Sequence, residues 1–284
     1  MIGYGISGGA FYLRGQAMAT YLANKKKPAD VFIGTSAGAI ISFVSAVLGV
    51  DKMWQFASAI NPKQALKSIP FTQKGELKTG ALLRAVFGYA PVKQSIIPIL
   101  NTIITDEQFQ MWIDNKNRTT CLVTTCDLET GTRHVWDLSK TDKQKALLII
   151  EASARMQGMC EPVLIDNFHH WDGGQKDHNP AFLLPQLGVD EVVAIWSRPD
   201  NWKVEKGDFI NAGYFAKLMR MIEIDNCEKS INDQQALETA CKETGTKLHQ
   251  IFIDRVLKHY YDYSEESQNK AVQAAINAVQ QAAL

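Results

Sequence analysis

The sequence predicts an α/β fold, a three-layer α/β/α sandwich with a mostly parallel central sheet. Three observations lead there. Residues 2–6 and 31–33 are short apolar runs of strand length. Between them, residues 11–24 carry Ala17, Met18, Tyr21 and Leu22 at helical spacing. After the second run, an uncharged helix-compatible stretch continues to Val50. Strand, helix, strand, helix is the alternation of a parallel sheet, because parallel neighbours need a crossover and the crossover helices cover the faces.

The remaining elements follow in order. Lys25-Lys26-Lys27-Pro28 ends the first helix, with its positive charge at the end where it offsets the helix dipole. Pro62, Pro70, Pro91 and Pro98 break residues 51–104 into short helices and loops. Within that stretch Ile96, Ile97, Ile99, Leu100, Ile103 and Ile104 form an apolar cluster. It is expected to pack in the core, with a lipid-contacting lid as the competing role. Thr105-Asp106-Glu107-Gln108 is a capping box opening a helix through Asp114. Residues 119–125 read as a central strand and 133–136 as its return strand, followed by a helix at 143–156. A hairpin is expected over 163–171, helical turns over 181–187 and a buried strand over 191–196. Beyond Pro199 the pattern reads as helical to the end, with Phe215, Leu218, Met219 and Ile222 on one face and Leu248, Ile251, Phe252 and Val256 on another. No linker, repeat or charge block divides the chain, so residues 1–284 are expected to form a single domain.

Composition narrows the function classes. Thirty basic residues balance thirty acidic ones, so no global charge points to nucleic acid. The five cysteines (Cys121, Cys126, Cys160, Cys227 and Cys241) are scattered and include no C-x-x-C, which predicts reduced thiols, a cytoplasmic protein and no structural metal. Residues 1–5 lack the basic region of a secretory signal. The uncharged run 31–50 has the length of a membrane span, but the Gly34–Gly38 turn interrupts it and leaves too little.

That turn carries the chemistry. Gly34-Thr35-Ser36-Ala37-Gly38 is a G-x-S-x-G motif between a strand and a helix, the setting of a nucleophile elbow. The sharp turn needs neighbours without bulk, and the helix N-terminus favours any anion that forms beside Ser36. Gly3-x-Gly5-x-x-Gly8 formally matches a dinucleotide fingerprint. Only Met1 and Ile2 precede it, and Asp30 falls before the second strand rather than at its end, so that match is rejected. Ser36 needs a base. None of the six histidines sits in a recognisable acid pair, and only one strand and one helix precede the elbow, which argues against a Ser-His-Asp hydrolase. Asp172, in Trp171-Asp172-Gly173-Gly174 after the hairpin, is the other candidate; an ordinary Asp-Gly turn is its plain alternative.

Taken together, these stretches resemble the patatin-like phospholipases. Gly8-Gly9 after the first strand is similar to the family's glycine-rich loop, and Gly34–Gly38 to its nucleophile motif. Cys126-Asp127-Leu128-Glu129-Thr130-Gly131 resembles its T-D-L-x-T-G segment, with Cys126 in place of threonine. Residues 152–162 resemble its A-S-x-x-x-P-x-x-F-x-P stretch, with Gln157 and Cys160 as departures. Asp172-Gly173-Gly174 with Asn179-Pro180 matches D-G-G-x-x-x-x-N-P. The family's loop carries a third glycine and a basic residue. Here Ala10 takes the glycine position, and Arg14 restores the basic residue only with a two-residue insertion, while Tyr12 holds that position without one.

The resemblance implies a Ser–Asp dyad with Ser36 as nucleophile and Asp172 as base. It implies an oxyanion hole from the backbone N–H groups of Gly8, Gly9 and Ala37. Gly34, Gly38, Gly173, Gly174 and Arg14 would support the site. It further implies an acyl hydrolase of the phospholipase A or lysophospholipase type, acting on lipid esters at a membrane surface or micelle without a cofactor. A lipid acyltransferase using the same acyl-enzyme, or a weakly active scaffold protein, are the alternatives. Oligomeric state is left open.

Overall fold

The computed structural model describes residues 1–9, 12–60, 78–86, 90, 95–155, 158–200, 214–254, 264–282 and 284. Ala10, Pro62, Pro70, Pro91, Gln157, Val256 and His259 lie outside them, as do the side chains of Phe215, Leu218 and Met219. In chain order the elements are β1 (Ile2–Ile6), α1 (Leu13–Lys26), β2 (Val31–Gly34), α2 (Ala37–Leu48), α3 (Val50–Ala59), α4 (Thr79–Val86), α5 (Ile97–Ile103), α6 (Asp106–Asp114), β3 (Thr120–Asp127) and β4 (Arg133–Asp137). There follow α7 (Lys143–Ser153), β5 (Val163–Ile165), β6 (Phe168–Asp172), β7 (Glu191–Trp196), α8 (Tyr214–Thr244), β8 (Lys247–Phe252) and α9 (Glu265–Gln281).

The strands form one mixed sheet in the order β5-β6-β3-β2-β1-β7-β8, with β4 added to β3. The run β3-β2-β1-β7-β8 is parallel throughout, and β4, β6 and β5 are antiparallel additions at one side. Strand alternation divides the core in two. Tyr4, Ile6, Phe32, Val193 and Ile195 face a large cluster with α1, α2, α7 and α9. Val31, Ile33, Val192, Ala194 and Trp196 face a second cluster with Ala181, Leu184 and, from α8, Leu237 and Cys241. Both faces are therefore covered, which is why these strands read as continuous apolar runs. In β1 the second face is glycine: a Cβ on Gly5 would fall 2.2 Å from the Ala181 Cβ, so the 3₁₀ turn Pro180–Leu183 lies directly on the strand.

Several elements differ from the sequence expectation. The region beyond Pro199 is not helical throughout, because residues 247–252 form β8, parallel to β7. Leu248, Ile251 and Phe252 fit a helical face, but His249, Ile251 and Ile253 alternate in burial, and a run this short does not separate the two periods. Gly245, at φ +73, ends α8 just before it. The helix after the elbow, expected through Val50, ends at Leu48, where Gly49 at φ +83 starts a new helix, α3. Residues 181–187 form two 3₁₀ turns, at Pro180–Leu183 and Pro185–Leu187, each started by a proline that has no N–H to continue a longer helix. The 105–108 capping box forms as read, with Gln108 N–H to Thr105 Oγ1 at 3.2 Å and Thr105 N–H to Gln108 Oε1 at 2.9 Å. The 96–104 cluster is core: Ile96, Leu100 and Ile104 are buried in the large cluster and Ile97 and Ile103 pack against it. The five cysteines are buried and none is in a disulfide. Among the described residues, no helix is long and apolar enough to cross a membrane.

Candidate active site

The register of the sheet brings the two distant motifs together. A strand has two edges. Residues 122–126 of β3 use one edge for β4, so β2, on residues 120–123, and β6, on residues 125–127, must share the other. β2 runs parallel to β3 and β6 antiparallel, so their C-terminal ends meet head to head along that edge. The chain leaves β2 at Gly34, opposite Val123, and β6 ends at Asp172, opposite Thr125. Ser36 and Asp172, far apart in sequence, therefore emerge side by side.

Ser36 sits at φ 57°, ψ −120°, a backbone conformation that L side chains rarely adopt and that costs about 1–3 kcal/mol. The surroundings hold it there. A Cβ on Gly34 would fall 2.3 Å from the Gly38 carbonyl oxygen, and one on Gly38 would fall 2.2 Å from that of Ile6. The hydroxyls of Thr35 and Thr124 lie 2.6 Å apart, tying the elbow to β3. The Ser36 N–H donates to Ser153 Oγ at the end of α7 (3.0 Å). The Ser36 side chain does not cap α2. The N–H groups of Gly38, Ala39 and Ile40 instead close on the carbonyls of Thr35 and Ser36.

Asp172 is only 9% exposed. Burial pushes its carboxyl up to about 7, against the Gly174 N–H, the nearby Ser36 side chain and the charge of Lys229, which all favour the ionised form. The Gly174 N–H donates to Oδ1 at 2.8 Å. Gly173 has no room for a side chain, since a Cβ there would fall 2.5 Å from the Thr124 carbonyl oxygen. Gly174 lies between Asp172 and Thr35.

The Gly8–Gly9 loop lies against the elbow: the Cβ position of Gly8 is 3.5 Å from the Ser36 Cβ. The Gly8 N–H, expected to face an oxyanion, donates instead to the His178 carbonyl at 2.8 Å. Arg14, expected to support this loop, pairs with Glu265 and donates to the Ile60 carbonyl, which ties α1 to the start of α9. Helix α8 backs the loop that follows Asp172. Its Asp233 accepts the Asn179 N–H at 2.9 Å and is raised to about 7 by burial. Its Ser230 Oγ lies 3.3 Å from His178 Nδ1.

The five described histidines have other partners. His134 Nε2 lies 3.5 Å from Asp127, His169 Nδ1 2.7 Å from Glu129, and His249 Nε2 2.9 Å from Glu191. His170 Nδ1 lies 3.1 Å from Thr125 Oγ1. His178 is lowered to about 3 by burial and by the charges of Arg198 and Lys229. Among the described residues, no group of three or more His, Cys, Asp or Glu could hold a metal ion. Sequence reasoning did not single out Thr124, Ser153, Gln16, Ser197, Lys229 or Asp233. Ser153 lies in the quoted A-S-x-x-x-P stretch, but the others sit in ordinary strand, loop and helix sequence and carry no local signal.

A mostly parallel α/β sheet with a strained serine between strand and helix defines the class: an α/β protein with a sharp strand–serine–helix elbow. Residues 5–185 match the family model described as Patatin-like phospholipase, and the chain belongs to that family. The family assignment supports acyl hydrolysis of the phospholipase type. Among solved structures, the chain is similar to VipD from Legionella pneumophila, with a TM-score of 0.53 and 12% identity over 99% of this chain and 66% of that one. It also matches the type III effector protein ExoU, with a TM-score of 0.42 and 13% identity over 99% of this chain and 52% of that one. The chain thus spans less than two thirds of either structure's length. No curated protein matches.

Proposed function

We propose that this chain is a serine acyl hydrolase that cleaves fatty-acyl esters of lipids, of the phospholipase A or lysophospholipase type, through a Ser36–Asp172 dyad. The observation that carries the reading is the buried Asp172 carboxyl, brought by the register of β2 and β6 on β3 beside the serine of a strained elbow and raised to about 7. A base is most effective when its pKa lies near the working pH, and burial moves this carboxylate there. Each described histidine is engaged elsewhere, which favours a dyad over a triad.

Ser36 Oγ attacks the ester carbonyl carbon as Asp172 takes its proton. The tetrahedral oxyanion is stabilised by backbone N–H groups of Gly9 and Ala37 and by the N-terminal dipole of α2. Collapse breaks the ester C–O bond, and the alcohol, a lysolipid or glycerol derivative, leaves with the proton from Asp172. Water then gives a proton to Asp172 and attacks the acyl-enzyme. The second collapse returns that proton to Ser36 and releases the fatty acid. The chemistry needs no cofactor. The substrate is presented at a membrane surface or micelle, and the buried, unbridged cysteines favour a reducing compartment such as the cytoplasm. Strands from β1 to β8 share one sheet, which supports a single domain.

The test is fatty-acid release from a panel of phospholipid and lysophospholipid vesicles and micelles by wild type, Ser36→Ala and Asp172→Asn. Turnover by wild type and its loss in both variants, each folded by circular dichroism, is the expected result. Near-normal turnover in Asp172→Asn would exclude the dyad.

A further inference from the structure

We infer that Gln16 and Ser197 are positioning residues that clamp the Gly8–Gly9 peptide and aim the Gly9 N–H as the loop's oxyanion donor. The inference rests on the acyl-transfer reading and adds to it two residues outside every motif of the chain.

Hydrogen bonds fix the direction of both Gly8 groups. Gly8 N–H donates to the His178 carbonyl, so it faces away from any substrate oxygen. The Gly8 carbonyl accepts twice, from Ser197 Oγ at 2.5 Å and from Gln16 Nε2 at 3.3 Å. Gln16 Nε2 also donates to the Ser7 carbonyl at 2.6 Å and lies 3.0 Å from Ser7 Oγ. Ser7 Oγ in turn accepts the Ser197 N–H at 2.9 Å and lies 3.2 Å from Ser197 Oγ. In a trans peptide the N–H points opposite to the preceding C=O, and the described chain contains no cis bond. Holding the Gly8 carbonyl on the Gln16–Ser197 side therefore turns the Gly9 N–H to the other side, in a loop where a Cβ on Gly8 would lie 3.5 Å from the Ser36 Cβ.

Two further features point the same way. Gly9 adopts φ +132°, and a Cβ there would fall 2.5 Å from Ser197 Oγ, so the peptide is seated directly on that hydroxyl. Gln16 is fully buried and its Oε1 has no hydrogen-bond partner among the described residues. A buried amide that uses only its donors, all on the glycine loop, serves those carbonyls rather than general packing. An N–H held before the reaction stabilises an oxyanion without reorganising, which is where such donors gain their effect.

The experiment measures phosphonylation of Ser36 by an alkyl fluorophosphonate, followed by intact mass, for wild type, Ser197→Ala, Gln16→Met and Ser36→Ala. The clamp predicts that Ser197→Ala and Gln16→Met lower the limiting rate constant about tenfold to a hundredfold while the half-saturating probe concentration stays within about twofold. A purely structural defect would instead lower the fraction of molecules that label, at an unchanged rate. Ser197 is only partly buried and its change to alanine removes one atom, so that variant stays informative if Gln16→Met fails to fold. Wild-type rates in Ser197→Ala, with labelling still dependent on Ser36, overturn the clamp alone. Labelling that persists unchanged in Ser36→Ala overturns the acyl-transfer reading, and the clamp with it.

Discussion

Replacing Asp172 by asparagine should stabilise this protein in alkaline solution and leave it unimproved in acid. Burial raises the Asp172 carboxyl from an ordinary value of 3.8 to about 7. A folded value above the unfolded one means that the native state holds the proton more tightly. Asp172 therefore contributes its full stability below about 4 and loses it as pH rises through about 7. At about 1.36 kcal/mol for each pH unit between the two values, ionising this carboxyl costs the fold about 4 kcal/mol above pH 7. Asparagine keeps an oxygen for the Gly174 N–H and carries no charge to desolvate. Urea denaturation of both proteins at pH 5 and pH 8 isolates the effect, because every other titrating group is common to the two. The advantage of Asp172→Asn should grow by about 3 kcal/mol between those pH values. An offset that is the same at both, or one that shrinks as pH rises, would refute the claim that Asp172 is ionised at a cost.

The dependence of kcat/KM on pH should have an acid limb with its midpoint near 7, and single Gln replacements of His134, His169, His170, His178 and His249 should leave it in place. Lys229→Met removes a charge that lowers Asp172, so the same limb should move to higher pH. Ser36→Gly should abolish acyl transfer without lowering Tm, because glycine adopts the strained elbow conformation freely. Gly38→Ala should cost about 2 kcal/mol or more by urea denaturation and slow Ser36 labelling, since its Cβ meets the backbone of Ile6 at 2.2 Å. Leu100→Ala, at a side chain 1% exposed, should cost about 2–5 kcal/mol with no change in acyl-chain preference.

Among the described residues, the sequence alone determined the strands and helices of 2–48 and 105–172, the strand at 191–196, the elbow and the two glycine motifs. These are local properties. A buried parallel strand must be a run of apolar residues, and a turn where a Cβ on residue 34 or 38 would fall under 2.5 Å from a backbone carbonyl oxygen must be glycine there. β8 was hidden because a six-residue stretch that mixes apolar and polar residues is too short to separate helix and strand periods, and only pairing with β7 selects the strand. The site is legible to the same limit. Ser36 and Asp172 announce themselves through their own turns, but their meeting depends on β2 and β6 sharing one edge of β3, which is a matter of register between strands distant in sequence. The direction of each loop N–H was decided still further away: by His178 for Gly8, and by Gln16 and Ser197 for the Gly8 carbonyl. Arg14, the one basic residue that the motif suggested for this loop, faces Glu265 because helix α9 packs on α1. A hydrogen bond between side chain and backbone leaves no periodicity in the chain, so tertiary packing alone selects which polar residue reaches which peptide.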